Sequence, residues 1–186
     1  MRRTTQQALR GRACARVQPL TTSSSSARRA STLGRFSPTE PLAVGDWSET
    51  HKVFGTPEVA QFAALSEDIN PIHLDAAYAE KTRFGARIVH GMLSASLFSG
   101  ILGSQIPGAI YVSQSLSFKA PIYVGEKVTA KVEVTAIHPS KPFVTFTTKC
   151  LNTKGGVCID GEAVVYIPHQ HKNKNKDKSD GDKREE

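Results

Sequence analysis

The chain has 186 residues, 39% of them hydrophobic and 22% charged, which suits one domain with polar tails. No apolar run approaches the roughly eighteen residues of a membrane-spanning helix. The three cysteines show no C-x-x-C spacing, which excludes a disulfide scaffold and a zinc finger. The formal charge of +7 is unevenly spread: residues 1–39 hold eight Arg and no acidic residue, whereas residues 40–168 hold ten basic and twelve acidic ones. The body is therefore slightly acidic and lacks the clustered cations that a phosphate backbone requires.

Residues 1–39 are rich in Arg, Ser and Thr and contain no apolar stretch like that of a secretory signal. This composition predicts a disordered mitochondrial transit peptide, with a plastid one, or a plain disordered basic arm, as the alternatives. Arg28-Arg29-Ala30-Ser31 is a candidate processing neighbourhood, and Cys14 falls inside the segment expected to be removed. A body over 40–168 follows. Thr56-Pro57 predicts a helix start, with Val59, Phe62, Ala63 and Leu65 at helical spacing. Pro71 pushes Asn70 out of helical geometry, so residues 68–75 read as a structured loop, and Asp75 caps a short helix, AAYAEKT. The segment His90–Gly103 is apolar or small all round and without charge, which predicts a helix buried on every side.

Beyond it the period becomes two. Strands are predicted around Val112–Phe118, Val128–Ala136, Phe143–Thr147 and, after the Lys154-Gly155-Gly156 turn, Val157–Ile167. Cys150 and Cys158 fall in apolar runs and read as reduced core residues. The predicted class is α+β: an antiparallel sheet wrapped around one buried helix. No Gly-rich loop follows a strand, which argues against a nucleotide-binding α/β fold. The tail, residues 169–186, has no apolar residue and is predicted to be disordered. It lacks a C-terminal Ser-Lys-Leu, which weakens a peroxisomal address.

The chemistry-bearing stretch is Asp68-x-Asn70-Pro71-x-His73, directly before the buried helix. A carboxylate and an imidazole that converge on one water can perform paired acid/base chemistry. Spacing alone leaves a plainer reading open, in which Asp68 caps local N–H groups and His73 is a satisfied polar core residue. His90 reads as a packing residue at the helix start.

Four blocks occur in order: ALSEDINPIHLD, IVHGMLSASLFSGILG, SQSLSFKAPIYVGEKVTAKVEV and GEAVVYIP. From about Gly45 to Pro168 the sequence resembles the (R)-specific enoyl-CoA hydratases, single-domain type 2 members of the MaoC-like dehydratase group. The resemblance implies a hotdog fold, a five-stranded antiparallel sheet around the central helix, and a homodimer. It implies Asp68 and His73 as the catalytic pair and the Gly91 N–H as oxyanion donor. It also implies that Ser99 lines the site and contacts the aspartate, and that Leu102 limits the acyl pocket. Asn70 would fix the loop through its side chain.

The implied reaction adds water to a trans-2-enoyl thioester, or removes it from a 3-hydroxyacyl thioester, without metal or cofactor. The substrate partner would be a thioester of CoA or of acyl carrier protein, in the mitochondrial matrix. A non-catalytic hotdog subunit and a hotdog thioesterase are the alternatives.

Overall fold

The computed structural model describes residues 36, 41–168 and 170, together with the backbone of residues 32–34. The rest of the expected transit peptide and of the tail lies outside the described residues. Six strands form one antiparallel sheet: β1 (Thr32–Gly34), β2 (Trp47–Val53), β3 (Ile110–Phe118), β4 (Lys127–Ile137), β5 (Phe143–Leu151) and β6 (Val157–Tyr166). Their order across the sheet is β1-β2-β4-β5-β6-β3. Three helices precede the central one: α1 (Thr56–Ser66), α2 (Pro71–Leu74) and α3 (Ala76–Glu80). The central helix is α4 (Gly91–Gln105).

The core lies between α4 and the sheet. From β4 come Val128, Ala130, Val132 and Val134, and from β5 come Val144, Phe146 and Cys150, all essentially inaccessible. Strict alternation puts these on one face, and α4 meets them with Ala95, Phe98, Ile101 and Leu102. Complete burial of a side chain such as Phe98 or Leu102 contributes about 1.5–3 kcal/mol relative to exposure.

Several details differ from the sequence expectation. Alternation in β4 fails after Val134, where a register shift before Ala136 leaves Ala136 exposed rather than inward. A second shift, between Tyr111 and Ser113, leaves Val112 outward and turns Tyr111 toward the core. Strand β2 escapes a hydrophobic-pattern reading because its inward positions are Ser48 and Thr50. The N-cap of α1 is Gly55 rather than Thr56, and the Glu58 carboxylate accepts the Gly55 N–H at 3.0 Å. Residues 71–74, expected as loop, form a single helical turn opened by Asn70.

Two features carry the body past the boundaries drawn at 40 and 168. Thr32–Gly34 adds a sixth strand along β2, one more than the five implied. Phe36 is 8% exposed and meets Phe146 edge-on at 6.0 Å. At the other end, the Gln170 amide brackets Leu42, accepting its N–H at 3.0 Å and donating to its carbonyl at 2.7 Å.

Helix α4 is also not buried on every side. Met92, Ser96, Ser99 and Gly103 recur at helical spacing on a face that stays exposed in the single chain. Strand β3, at the sheet edge, exposes Ile110, Val112 and Phe118 by more than half. None of the helices described is long and apolar enough to cross a membrane.

Candidate active site

Pro71 starts α2 and Asn70 caps it, its Oδ1 accepting the Ile72 N–H at 3.2 Å. Asp68 then turns one carboxylate oxygen to the Asn70 N–H, Oδ1 accepting at 3.3 Å, while Oδ2 stays free of that bond. The single turn of α2 drives His73 inward to 8% exposure. Its Nδ1 donates to the Ile88 carbonyl at 2.8 Å; a carbonyl only accepts, so this nitrogen carries hydrogen. Nε2 is thereby the nitrogen that faces Asp68, 3.9 Å from Oδ2. That distance is too long for a direct hydrogen bond and suits one bridging water or hydroxyl.

Arg87 ties the surrounding elements together. Its guanidinium donates to Thr56 Oγ1 at 2.8 Å and to the Leu74 carbonyl at 3.4 Å, joining α1 and α2 to the strand-like run before α4.

The N-terminus of α4 closes the site. His90 caps the helix without a side-chain bond to it, so the first N–H groups, that of Gly91 among them, have no carbonyl partner within the helix. A Cβ added at Gly91 would run into the edge of the Phe118 ring, which would have to move aside. Asp68, His73, His90, Gly91, Ser94 and Phe118 all border a cleft of about 470 Å³, within the range of small-molecule sites. Its walls are largely apolar, with Phe62, Ile88, Val89 and Ile159 among them. Arg83 and Lys119 also border it, and Lys119 pairs with Asp160 at 2.7 Å.

Two expected residues are not brought to this cleft. Ser99 sits on the exposed face of α4, eight residues beyond Gly91, which is about 12 Å along the helix. Contact with Asp68 in the same chain is therefore not made. Leu102 is fully buried in the sheet-facing core instead of lining the cleft.

Ser94, which sequence reading passed over, does border the cleft; it is wholly buried and its Oγ has no hydrogen-bond partner. A serine inside an uncharged helix gives no sequence signal of that placement.

His90 is the other residue that sequence reading undervalued. It is 2% exposed, its ring stacks on His73 at 3.8 Å, and its Nε2 lies 3.0 Å from the Asp68 carbonyl. Burial holds its pKa below the ordinary imidazole value, a lowering that the bond to Asp68 partly offsets. Asp68, His73 and His90 are also the group whose possible ligand atoms lie within 4.8 Å of one another. The two imidazole planes are only 29° apart, however, so their in-plane lone pairs run side by side and converge poorly on one ion. The arrangement suits proton transfer better than chelation.

Comparison with known proteins bears on the same segment. Residues 36–154 match the MaoC like domain family. The chain is 56% identical over 131 residues to the (R)-specific enoyl-CoA hydratase of Aeromonas caviae, covering 69% of this chain and 98% of that one. It is 41% identical over 131 residues to the mitochondrial 3-hydroxyacyl-[acyl-carrier-protein] dehydratase of Arabidopsis thaliana, covering 69% and 79%. Among solved structures, the (R)-hydratase from A. caviae involved in PHA biosynthesis superimposes with a TM-score of 0.67, covering 68% of this chain and 98% of that one. The fold shared with these neighbours is the hotdog. The match takes in the loop of Asp68, the stacked histidines and the whole of α4, and the chain belongs to the MaoC-like dehydratase family.

Proposed function

We propose that this protein is a hydro-lyase that reversibly hydrates trans-2-enoyl thioesters to (R)-3-hydroxyacyl thioesters, with Asp68 and His73 as its acid/base pair. The observation that carries the reading is the 3.9 Å separation of Asp68 Oδ2 and His73 Nε2 beside the free N–H groups that open α4. Hydrations of this kind are what the Aeromonas relative is named for, and its 56% identity supports the same class of reaction here.

A water held between the two side chains gives its proton to Asp68 as its oxygen bonds to Cβ of the enoyl group. The alkene electrons move toward the thioester, and negative charge collects on the carbonyl oxygen. The Gly91 N–H, at the positive end of the α4 dipole, stabilises that oxygen. His73 passes a proton from Nε2 to Cα. The proton on Asp68 then returns to His73 through the next water. One water has been added and both side chains are restored. Run backwards, the same steps dehydrate a 3-hydroxyacyl thioester.

Acyl-CoA is the substrate carrier that the Aeromonas relative supports, and acyl carrier protein the one that the Arabidopsis relative supports. A homodimer accounts for the uncharged exposed face of α4 and the apolar edge strand β3, which two copies would cover together. Ser99 would then lie in the interface. A mitochondrial location is supported by the arginine-rich, acid-free composition of residues 1–39 and by the mitochondrial address of the Arabidopsis relative.

Crotonyl-CoA tests the reading. Hydration removes the enoyl absorbance without freeing thiol. Release of thiol would show a thioesterase, and no change in either signal would show a binding subunit.

A further inference from the structure

Asp68 sits on an exposed loop with little of its own to hold it. Among the described residues, the hydrogen bonds of 67–70 are mostly local: Ile69 N–H to the Glu67 carbonyl, Asp68 N–H to Ser66 Oγ, and Asn70 N–H to Asp68 Oδ1. Glu67 adopts a left-handed φ of 62°, a conformation that side chains of this type rarely take unaided. The bond that reaches from this loop to another element runs from His90 Nε2 to the Asp68 carbonyl, 22 residues apart in sequence.

His90 also reaches the other member of the pair. Its ring lies flat against that of His73, with Phe62 closing in at 5.0 Å. Since the Asp68 carbonyl can only accept, His90 carries its hydrogen on Nε2. Burial lowers the His90 pKa, which disfavours a second positive charge stacked on the His73 ring. The next residue is Gly91, whose N–H opens α4. One buried side chain at the start of a rigid helix therefore touches the Asp68 backbone, the His73 ring and, through the chain, the oxyanion donor.

We infer that His90 is a positioning residue, which sets Asp68 by the Nε2–H bond to its carbonyl and sets the plane of His73 by stacking. The inference rests on the Asp68/His73 reading of the site. His90 borders the cleft only as a 2% exposed wall residue, so its loss should act on turnover more than on binding.

Two substitutions in the full chain separate the two contacts. His90→Phe keeps a ring against His73 and removes the N–H. His90→Gln keeps an amide N–H in reach of the Asp68 carbonyl and removes the ring. With crotonyl-CoA, kcat per folded site of His90→Phe should fall about 10- to 100-fold, the range for small misplacement of reacting groups, with KM within about two-fold. His90→Gln should recover part of that loss. A packing residue alone would lower the melting temperature of His90→Phe and leave kcat per folded site at the wild-type value, which overturns the inference.

If neither variant folds, nitrogen NMR of the wild-type imidazoles decides. A neutral His90 with hydrogen fixed on Nε2 is the expected result, and a ring protonated on Nδ1 alone overturns it. Wild-type enzyme that leaves crotonyl-CoA unhydrated would instead refute the underlying reading of the site. Active wild type with fully active His90→Phe refutes the role of His90 alone.

Discussion

The Nδ1–H of His73 donates to the Ile88 carbonyl at 2.8 Å, and that bond decides which face of the imidazole works. It fixes the tautomer, sets the ring orientation and leaves Nε2 directed at Asp68. The carbonyl comes from the run that leads directly into α4, so ring and helix start are held together. Geometry of this kind is the condition for proton transfer to a defined atom.

Gly91 gives the first prediction. An added Cβ there would meet the Phe118 ring, the one close neighbour, which must shift to admit it. Gly91→Ala should displace either Phe118 or the first turn of α4, at a cost of up to about 1 kcal/mol, since the ring is partly exposed and can yield. The hydratase rate should fall with it, because the Gly91 N–H moves. Gly91→Ala/Phe118→Ala should regain much of the stability. A Gly91→Ala variant with unchanged melting temperature and rate would refute this account of the glycine.

Acid should weaken the fold in two steps. Burial lowers the His90 pKa from 6.5, and the Glu58 pKa lies below its ordinary 4.5, chiefly through the N–H of its own backbone. In both cases the unfolded chain binds the proton more readily than the native one. The stability these groups contribute is present above the unfolded values and is lost as pH falls through the lower native ones. The His90 step begins below about pH 6.5 and the Glu58 step below about pH 4.5. Thermal midpoints compared at neutral pH and at about pH 5.5 should drop less in His90→Gln than in wild type. Equal drops would remove His90 as the source.

Much of this architecture can be read from the sequence, for identifiable reasons. The central helix stands out because fourteen residues from His90 to Gly103 carry no charge. Strands β4 and β5 stand out because valine and phenylalanine alternate with polar residues. Strand β2 does not, since Ser48 and Thr50 take its inward positions. The bulges that turn Ala136 and Val112 outward depend on partner strands and leave no local mark. Asp68 and His73 are visible through their spacing and the blocks around them. His90 is hidden, because its partner is a backbone carbonyl on a distant loop. Lack of charge on α4 likewise suggests burial without saying whether the same chain or another supplies the cover.

That open face gives the third prediction. Ser96 lies on it, exposed beside Ser99 and Gly100. Ser96→Arg should cost an isolated chain almost nothing, since arginine is a good helix former. Across a dimer interface it would bury a charge against a copy of itself. Light scattering should find a dimer for wild type and monomer for the variant. A wild-type monomer, or a variant that stays dimeric, would contradict the interface.

The central claim is that Asp68 and His73 add water to an enoyl thioester. Hydration of crotonyl-CoA by wild type, Asp68→Asn and His73→Ala, each first shown to be folded, tests it most directly. Wild type should consume the enoyl absorbance without releasing thiol, and each variant should lose about 100- to 10,000-fold in kcat, the range for an essential acid or base. A folded variant that keeps more than about a tenth of the wild-type rate would contradict the role of that residue.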